Sequence, residues 1–255
     1  MDGQSRTPKI EFQKVSKTFD TPGGKVEAVR EIDLKIAENE IVCFVGPSGC
    51  GKSTLVNLAA GFLLPTEGQV LTDGRPVTQP GPDRAVVFQQ DSVFPWLTVA
   101  KNLEYGLKAR GIDERTRRAT VEHLLDLVDL RHFKDMYPRH LSGGMKKRVD
   151  LARAYANEPE ILLMDEPFGA LDVLTKEKMQ KDLVRLWRQD ARTVLFITHD
   201  IEEAIFVGHL VTVLSPRPAT IVTELTVPFE KNVDTLIKTS PEFQKMRQQI
   251  IGMLA

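Results

Sequence analysis

The chain has 255 residues, 42% of them hydrophobic and 27% charged, with a formal net charge of -1. That length suits one large α/β domain with a subdomain or two small domains, and the charge gives no sign of a general affinity for nucleic acid, leaving on that side only a nucleic-acid enzyme with a local basic face. Two cysteines, Cys43 and Cys50, are too few for a disulfide framework and are spaced unlike a zinc site, which points to a reducing compartment.

The amino-terminal stretch from Met1 to Pro8 is polar and lacks the apolar core of a signal peptide. No apolar run approaches the roughly 18 residues of a membrane span, so any membrane role is expected to be peripheral. Residues 10–45 read as strands, with partial alternation at 10–15 and 28–36 and a turn at Thr21-Pro22-Gly23-Gly24. Ile41-Val42-Cys43-Phe44-Val45 is a continuous apolar run ending at a glycine, the pattern of a buried parallel strand.

Gly46-Pro47-Ser48-Gly49-Cys50-Gly51-Lys52-Ser53-Thr54 follows at once and fits the phosphate-binding pattern G-x-x-x-x-G-K-[ST] without a mismatch. Its glycines let backbone amides turn toward a polyphosphate, Lys52 supplies charge to the β and γ phosphates, and the Ser53 hydroxyl is placed to ligate Mg²⁺. Residues 54–62 read as the helix that this motif requires. The motif alone fits kinases, GTPases, motors and transport ATPases equally. Cys50 lies inside the loop, where oriented amides and Lys52 favour a thiolate; alkylation is then expected to block turnover, and the plain alternative is a small loop residue.

Residues 68–87 return to short strands, with turns at Asp73-Gly74 and 79–82. From 99 to 157 the pattern is helical, Val121, Leu124, Leu125, Val128 and Leu130 falling near a 3.6-residue period. Within it, Leu141-Ser142-Gly143-Gly144-Met145 sets small residues and free amides before a helix, a second anion cradle. The basic clusters at 115–118 and 146–148 read as solvated helix faces or as contacts to anionic headgroups.

Ile161-Leu162-Leu163-Met164 is another buried strand, and it delivers Asp165 and Glu166 at its end. Asp165 is expected to hold Mg²⁺ through water and Glu166 to activate a water for attack on the γ-phosphate. Residues 194–197 form a similar strand that ends near His199, on the edge where open α/β sheets bind ligands. His123, His132, His140 and His209 have no ligand spacing and read as surface or packing residues. Ser240-Pro241-Glu242 starts a final helix whose Phe243, Met246, Ile250 and Leu254 share one face. Strands and helices alternating around a helical insert define a mixed α/β core with a helical lobe.

Taken in order, the phosphate loop 46–54, Gln89, Leu141-Ser142-Gly143-Gly144, the acidic strand 161–167, Gly169-Ala170-Leu171-Asp172 and His199 resemble the ATP-binding subunits of ABC transporters over nearly the whole chain. The resemblance implies a P-loop NTPase (RecA-like) α/β core with an antiparallel β subdomain and a helical subdomain carrying the signature. It implies one ABC ATPase domain over 1–255: residues 1–90 and 158–227 as β subdomain plus core, 91–157 as helical subdomain, and 228–255 as a carboxy-terminal helical extension.

By the same resemblance Phe19 stacks on adenine, although a core phenylalanine fits the sequence as well. Gln89 meets Mg²⁺ or the attacking water. Ser142, Gly143 and Gly144 contact the γ-phosphate of ATP held by the opposite subunit, Asp172 couples the two sites, and His199 holds the γ-phosphate. Met145 replaces the glutamine usual in the signature, and changed packing rather than lost catalysis is expected. Phe94-Pro95-Trp96-Leu97 is expected to border the groove that receives a permease, or to pack within the helical lobe.

Phe94-Pro95-Trp96, the 141–148 and 168–172 segments, Ser215-Pro216-Arg217-Pro218 and 239–243 are similar to importer ATPases of the nitrate, sulfonate, taurine and bicarbonate type. The implied cofactors are ATP and Mg²⁺. The implied partners are a second ATPase subunit, identical or paralogous, a permease, and, indirectly, a periplasmic or lipoprotein solute-binding protein, with no nucleic acid. The implied location is the cytoplasmic face of the plasma membrane, peripherally bound. A soluble ABC ATPase acting on DNA or ribosomes, and an ABC transporter ATPase for another substrate class, are the alternatives. A small-molecule kinase or GTPase fits less, since no Asn-Lys-x-Asp motif is present.

Overall fold

A computed structural model describes residues 7–231 and 234–254. The first six residues, which carry most of the polar amino-terminal stretch, lie outside the described residues. In chain order the strands are β1 (Ile10–Thr21), β2 (Gly24–Ile36), β3 (Ile41–Val45), β4 (Glu67–Thr72), β5 (Arg75–Pro76), β6 (Arg84–Val87), β7 (Ile161–Asp165), β8 (Thr193–Thr198), β9 (Leu210–Leu214) and β10 (Ile221–Thr226). The α-helices are α1 (Lys52–Ala60), α2 (Val99–Ala109), α3 (Glu114–Leu127), α4 (Gly143–Ala156), α5 (Val173–Gln189), α6 (Ile201–Val207) and α7 (Pro241–Leu254).

Two sheets result. β2-β1-β4-β5 is antiparallel. β10-β9-β3-β8-β7-β6 is parallel apart from its edge strand β10. The parallel strands are apolar throughout because both of their faces are covered. Along β3, Ile41, Cys43 and Val45 point into a core shared with the helices, while Val42 and Phe44 point into a core shared with α1 and the antiparallel sheet. The same two-residue alternation divides β7 and β8, with Leu162, Met164, Val194 and Phe196 on the helical side and Ile161, Leu163, Leu195 and Ile197 on the other.

Helices α2, α3 and α4 lie between β6 and β7 in the chain, and each begins on a side-chain cap. Thr98 accepts from Lys101 N, Asp113 from Thr116 N and Ser142 from Met145 N. Val121, Leu124, Leu125, Val128 and Leu130 all enter the helical-side core, as their spacing predicts. The last helix also follows its expected pattern. Ser240 Oγ accepts from Phe243 N at 3.2 Å, Pro241 opens the first turn, and Phe243, Met246 and Ile250 are buried with Leu254 packed beside them. Strands β9 and β10 are absent from the sequence reading; β9 follows α6 with only Gly208 and His209 between, too little punctuation to separate it from the helix.

Candidate nucleotide site

The register of the parallel sheet builds the site. Val45 pairs with Thr198 and Asp165 with Ile197, so β3, β7 and β8 end side by side. The segments that leave them start at Gly46, Glu166 and His199, on the sheet edge where such folds bind ligands.

The first segment closes into α1 through Gly51, whose φ of +133° is accessible only to glycine and whose Cβ would lie 2.5 Å from the Ala28 carbonyl oxygen. α1 starts at Lys52, two residues before its expected beginning. Lys52 is buried, and its Nζ donates to the carbonyl oxygens of Gly46 at 2.8 Å and Pro47 at 2.9 Å. Ser53 Oγ donates to Asp165 Oδ1 at 3.0 Å. Burial pushes the Asp165 carboxyl up from its ordinary value, with the Ser53 bond opposing and the neighbouring Glu166 charge adding to the rise.

Glu166 holds the left-handed backbone, φ +44°, at a cost on the order of 1–3 kcal/mol. Its amide donates to Ile197 O at 3.0 Å, and its carbonyl accepts from Gly169 N at 3.1 Å. The turn presents Glu166 Oε2 to His199 Nδ1 at 3.0 Å. Gly169 lies between Glu166 Oε2 and Gln89 Nε2, which would stand 3.5 and 3.7 Å from a Cβ placed there.

Beside this edge is a cleft of about 370 Å³ lined by Phe19, Thr21, Val26, Ala28, Gly49, Gly51, Lys52, Ser53, Thr54, Glu166 and Arg217. Phe19 is partly buried and Lys17 Nζ lies 5.3 Å from its ring centroid. Arg217 is a site residue to which the sequence reading assigns no role. Its Nε and Nη2 donate to Gly49 O at 3.1 and 2.7 Å and strap the phosphate loop from 168 positions away. In the sequence it stands between two prolines, within the segment 215–218 that resembles importer ATPases.

Ser142, Gly143 and Gly144 do not line this cleft. They form the start of α4, with Ser142 and Gly143 exposed. A Cβ on Gly144 would meet Thr175 Cγ2 at 2.4 Å, so the signature backbone touches the first turn of α5. That turn is capped by Asp172, whose Oδ1 accepts from Thr175 N at 3.1 Å; these hydrogen bonds hold the Asp172 carboxyl below the usual range. Val173 and Leu174, next in the chain, are 73% and 79% exposed, unusual for large apolar residues. Met145 is packed against the helical-side core.

Trp96 and Tyr105 are exposed on either side of Phe94, with ring centroids 5.6 and 4.6 Å from it. Phe94 and Leu97 are partly covered, so the segment both packs within the lobe and offers apolar surface.

Two sequence expectations change here. The 146–148 cluster is not a solvated face, because Lys147 and Arg148 are buried. Lys147 Nζ donates to Phe88 O at 2.9 Å and Gln89 O at 3.1 Å, and Arg148 lies 3.3 Å from Asp182. Cys50 is buried within the core beneath the loop, 2% exposed, and its Sγ lies against Gly46 rather than at the cleft. The small-residue reading therefore holds, and ready alkylation does not follow. His209 is a packing residue as expected: its Nδ1 accepts from Ile41 N at 3.0 Å, its ring lies 4.6 Å from Trp187, and burial lowers its pKa to about 4.

A parallel sheet edge with a lysine-bearing phosphate loop, a serine–aspartate contact and a paired glutamate defines a P-loop nucleoside triphosphatase. The ABC transporter family matches residues 29–169, and the chain belongs to that family as an ATP-binding ATPase cassette. The chain is 47% identical to the nitrate import ATP-binding protein NrtD of Synechocystis over 251 residues, 96% of this chain and 94% of that one. It is 43% identical to the taurine import ATP-binding protein TauB of Jannaschia over 250 residues, 96% and 93% of the two chains. Among solved structures it is similar to the dimeric post-hydrolysis state of the ATP-binding cassette MJ0796 bound to ADP and Pi. That match has a TM-score of 0.74 and 32% identity, covering 87% of this chain and 100% of that one.

Proposed function

We propose that this chain is the ATP-hydrolysing subunit of an importer. Two copies, or one copy and a paralogue, close head to tail over ATP and drive a separate permease that takes up a small solute such as nitrate, a sulfonate, taurine or bicarbonate. The observation that carries the hydrolytic part is the meeting of two pairs at one sheet edge, Ser53 with Asp165 and Glu166 with His199, each at 3.0 Å. The names of the nitrate and taurine import relatives support the transport direction and the solute class.

In this reading adenine lies against Phe19, and the amides of 46–54 with Lys52 hold the β and γ phosphates. Ser53 and Asp165 are adjacent hard oxygen donors, the set that suits Mg²⁺, and Gln89 stands beside the same edge. Mg²⁺, when bound, neutralises charge on the β and γ phosphates. Glu166 takes a proton from the attacking water. His199, bonded to Glu166, holds that carboxylate in place and reaches a γ-phosphate oxygen.

The remaining donors come from Ser142, Gly143 and Gly144 of a second copy, through free amides at the start of α4. Asp172 and the exposed Val173 and Leu174 supply the surface on which the copies meet. The dimeric form of the MJ0796 cassette supports this arrangement. The core and β subdomain take 1–90 and 158–227, the helical subdomain 91–157 and the extension 228–255. The permease docks beside Phe94, Pro95, Trp96 and Leu97, which holds the protein peripherally at the cytoplasmic face. Among the described residues no helix is long and apolar enough to cross a membrane.

Replacement of Glu166 by glutamine tests the centre. Turnover should fall by roughly 10²–10⁴, the contribution of a positioned general base, while ATP binding and ATP-driven dimerisation persist. Wild-type hydrolysis by Glu166→Gln removes Glu166 from the role of base.

A further inference from the structure

Behind the hydrolytic edge lies a buried carboxylate for which this mechanism has no use. Glu203, on α6, is 2% exposed, and burial pushes its carboxyl up while hydrogen bonds from Thr198 and Gln180 pull it back. An apolar side chain would fill that place with no desolvation cost, so the carboxylate needs a reason to be there.

Its partners supply one. Glu203 Oε2 accepts from Thr198 Oγ1, and the same hydroxyl accepts from Asp200 N at 3.0 Å. The Thr198 hydroxyl, one residue before His199, is thus held as donor by Glu203 and as acceptor by the amide of Asp200, one residue after it, so its bonds span the turn that presents the imidazole. Glu203 Oε1 accepts from Gln180 Nε2 at 3.2 Å. Gln180 is itself buried, and its Oε1 accepts from Lys238 Nζ at 2.9 Å.

Lys238 lies in the short turn Thr235–Thr239 before α7, its ammonium 5.1 Å from the Phe206 ring centroid. A second tie runs over the surface, where Arg247 Nε of α7 meets Glu202 Oε1 at 2.9 Å. Arg247 and Glu202 line a cleft of about 410 Å³ together with His199 and Asp200. The carboxy-terminal segment is therefore tied to the start of α6, directly at Glu202 and through Gln180 at Glu203, just after the histidine turn.

We infer that Glu203 is a positioning residue for His199, acting through Thr198, and that Lys238 and Gln180 extend this control to the segment 235–254. The inference rests on the reading of Glu166 and His199 as the hydrolytic pair. A cation on the Gln180 oxygen fixes which way that amide faces, hence which Glu203 oxygen stays committed to Thr198. A rearrangement of the carboxy-terminal segment would then alter the rate of hydrolysis without touching the nucleotide cleft.

The test is steady-state ATPase kinetics and ATP affinity of the full-length protein for Glu203→Ala, Glu203→Gln, Lys238→Met, His199→Ala and the Lys238→Met/His199→Ala double variant. Glu203→Ala should lower kcat on the order of 10–100-fold, as small misplacements of reacting groups do, with KM for ATP within about twofold. Glu203→Gln should restore most of the loss, because an amide oxygen still accepts from Thr198. Lys238→Met should lower kcat roughly three- to tenfold at unchanged ATP affinity and add nothing once His199 is alanine.

Lys238 is only half-buried, so its variant reads the chain of bonds even where Glu203→Ala fails to fold. Wild-type kcat in Lys238→Met, or an equal further loss in the His199→Ala background, overturns the inference while leaving the hydrolytic pair intact. Wild-type turnover in His199→Ala overturns the pair itself and this inference with it.

Discussion

The chain carries two glycine-rich helix starts, and they are built very differently. The first, before α1, is ringed by polar partners although Ser48, Gly49 and Ser53 are exposed: Lys52 is buried, Ser53 meets Asp165, Arg217 straps Gly49, and Glu166 lines the same cleft. The second, before α4, has Ser142 and Gly143 exposed, and its Gly144 abuts Thr175 in the first turn of α5, where Val173 and Leu174 are also exposed. Both offer free amides to an anion. Only the first is surrounded by the charges and carboxylates that turn anion binding into hydrolysis. In the proposed head-to-tail pair the second completes a site whose other half lies in the opposite copy, and each copy is half of two sites.

The most severe way to break this asymmetry is Ser142→Arg. A bulky cation on an exposed helix start leaves the first cradle untouched, so ATP binding to a single subunit should stay within about twofold while hydrolysis falls at least ~100-fold, the scale of losing oxyanion-type donors. Nucleotide titration against steady-state turnover separates the two effects. Loss of binding in the isolated subunit would show that the cradles are not independent.

A finer test is Gly144→Ala. Its Cβ would meet Thr175 Cγ2 at 2.4 Å, an overpacking of about 1–3 kcal/mol that pushes the start of α4 away from α5. Turnover should drop roughly tenfold, and Thr175→Ser, which removes that methyl and keeps the amide bonded to Asp172, should recover it. Failure of the serine to rescue would place the importance of Gly144 in the room it leaves at the helix start rather than in the contact with α5.

The two cradles also differ in what their sequences reveal. The first is legible because its glycines, lysine and serine stand within nine consecutive residues after an apolar strand, and local chemistry fixes the loop. Asp165, Glu166 and His199 are legible for a related reason: each ends or follows a buried strand, and β3, β7 and β8 end side by side.

The supports are not legible. Arg217 reaches Gly49 across 168 positions, and Lys147 reaches Phe88 across 59. A run such as 146–148 looks solvated until the fold sets carbonyl acceptors and Asp150 around it; Asp150 Oδ2 lies 3.8 Å from Lys147 Nζ. Cys50 misleads in the opposite sense. It stands in a reactive-looking motif, yet its side chain lies in the core, with Sγ against Gly46. Sequence spacing reports which atoms a segment can offer, whereas burial of charge depends on which distant acceptors the topology delivers.

The mildest test concerns the strap that only the first cradle has. Arg217 is exposed, so its charge-assisted bonds to Gly49 O are screened and worth about 1 kcal/mol rather than the larger value of a buried pair. Arg217→Met should therefore raise KM for ATP roughly fivefold. It should leave kcat near its wild-type value, because the loop holds substrate and transition state alike and loses uniform binding. Lysine should not rescue it, since a single ammonium cannot reproduce two parallel donors on one carbonyl. If Arg217→Met instead lowers kcat at unchanged KM, the strap acts on the chemical step, and the first cradle is no more self-sufficient than the second.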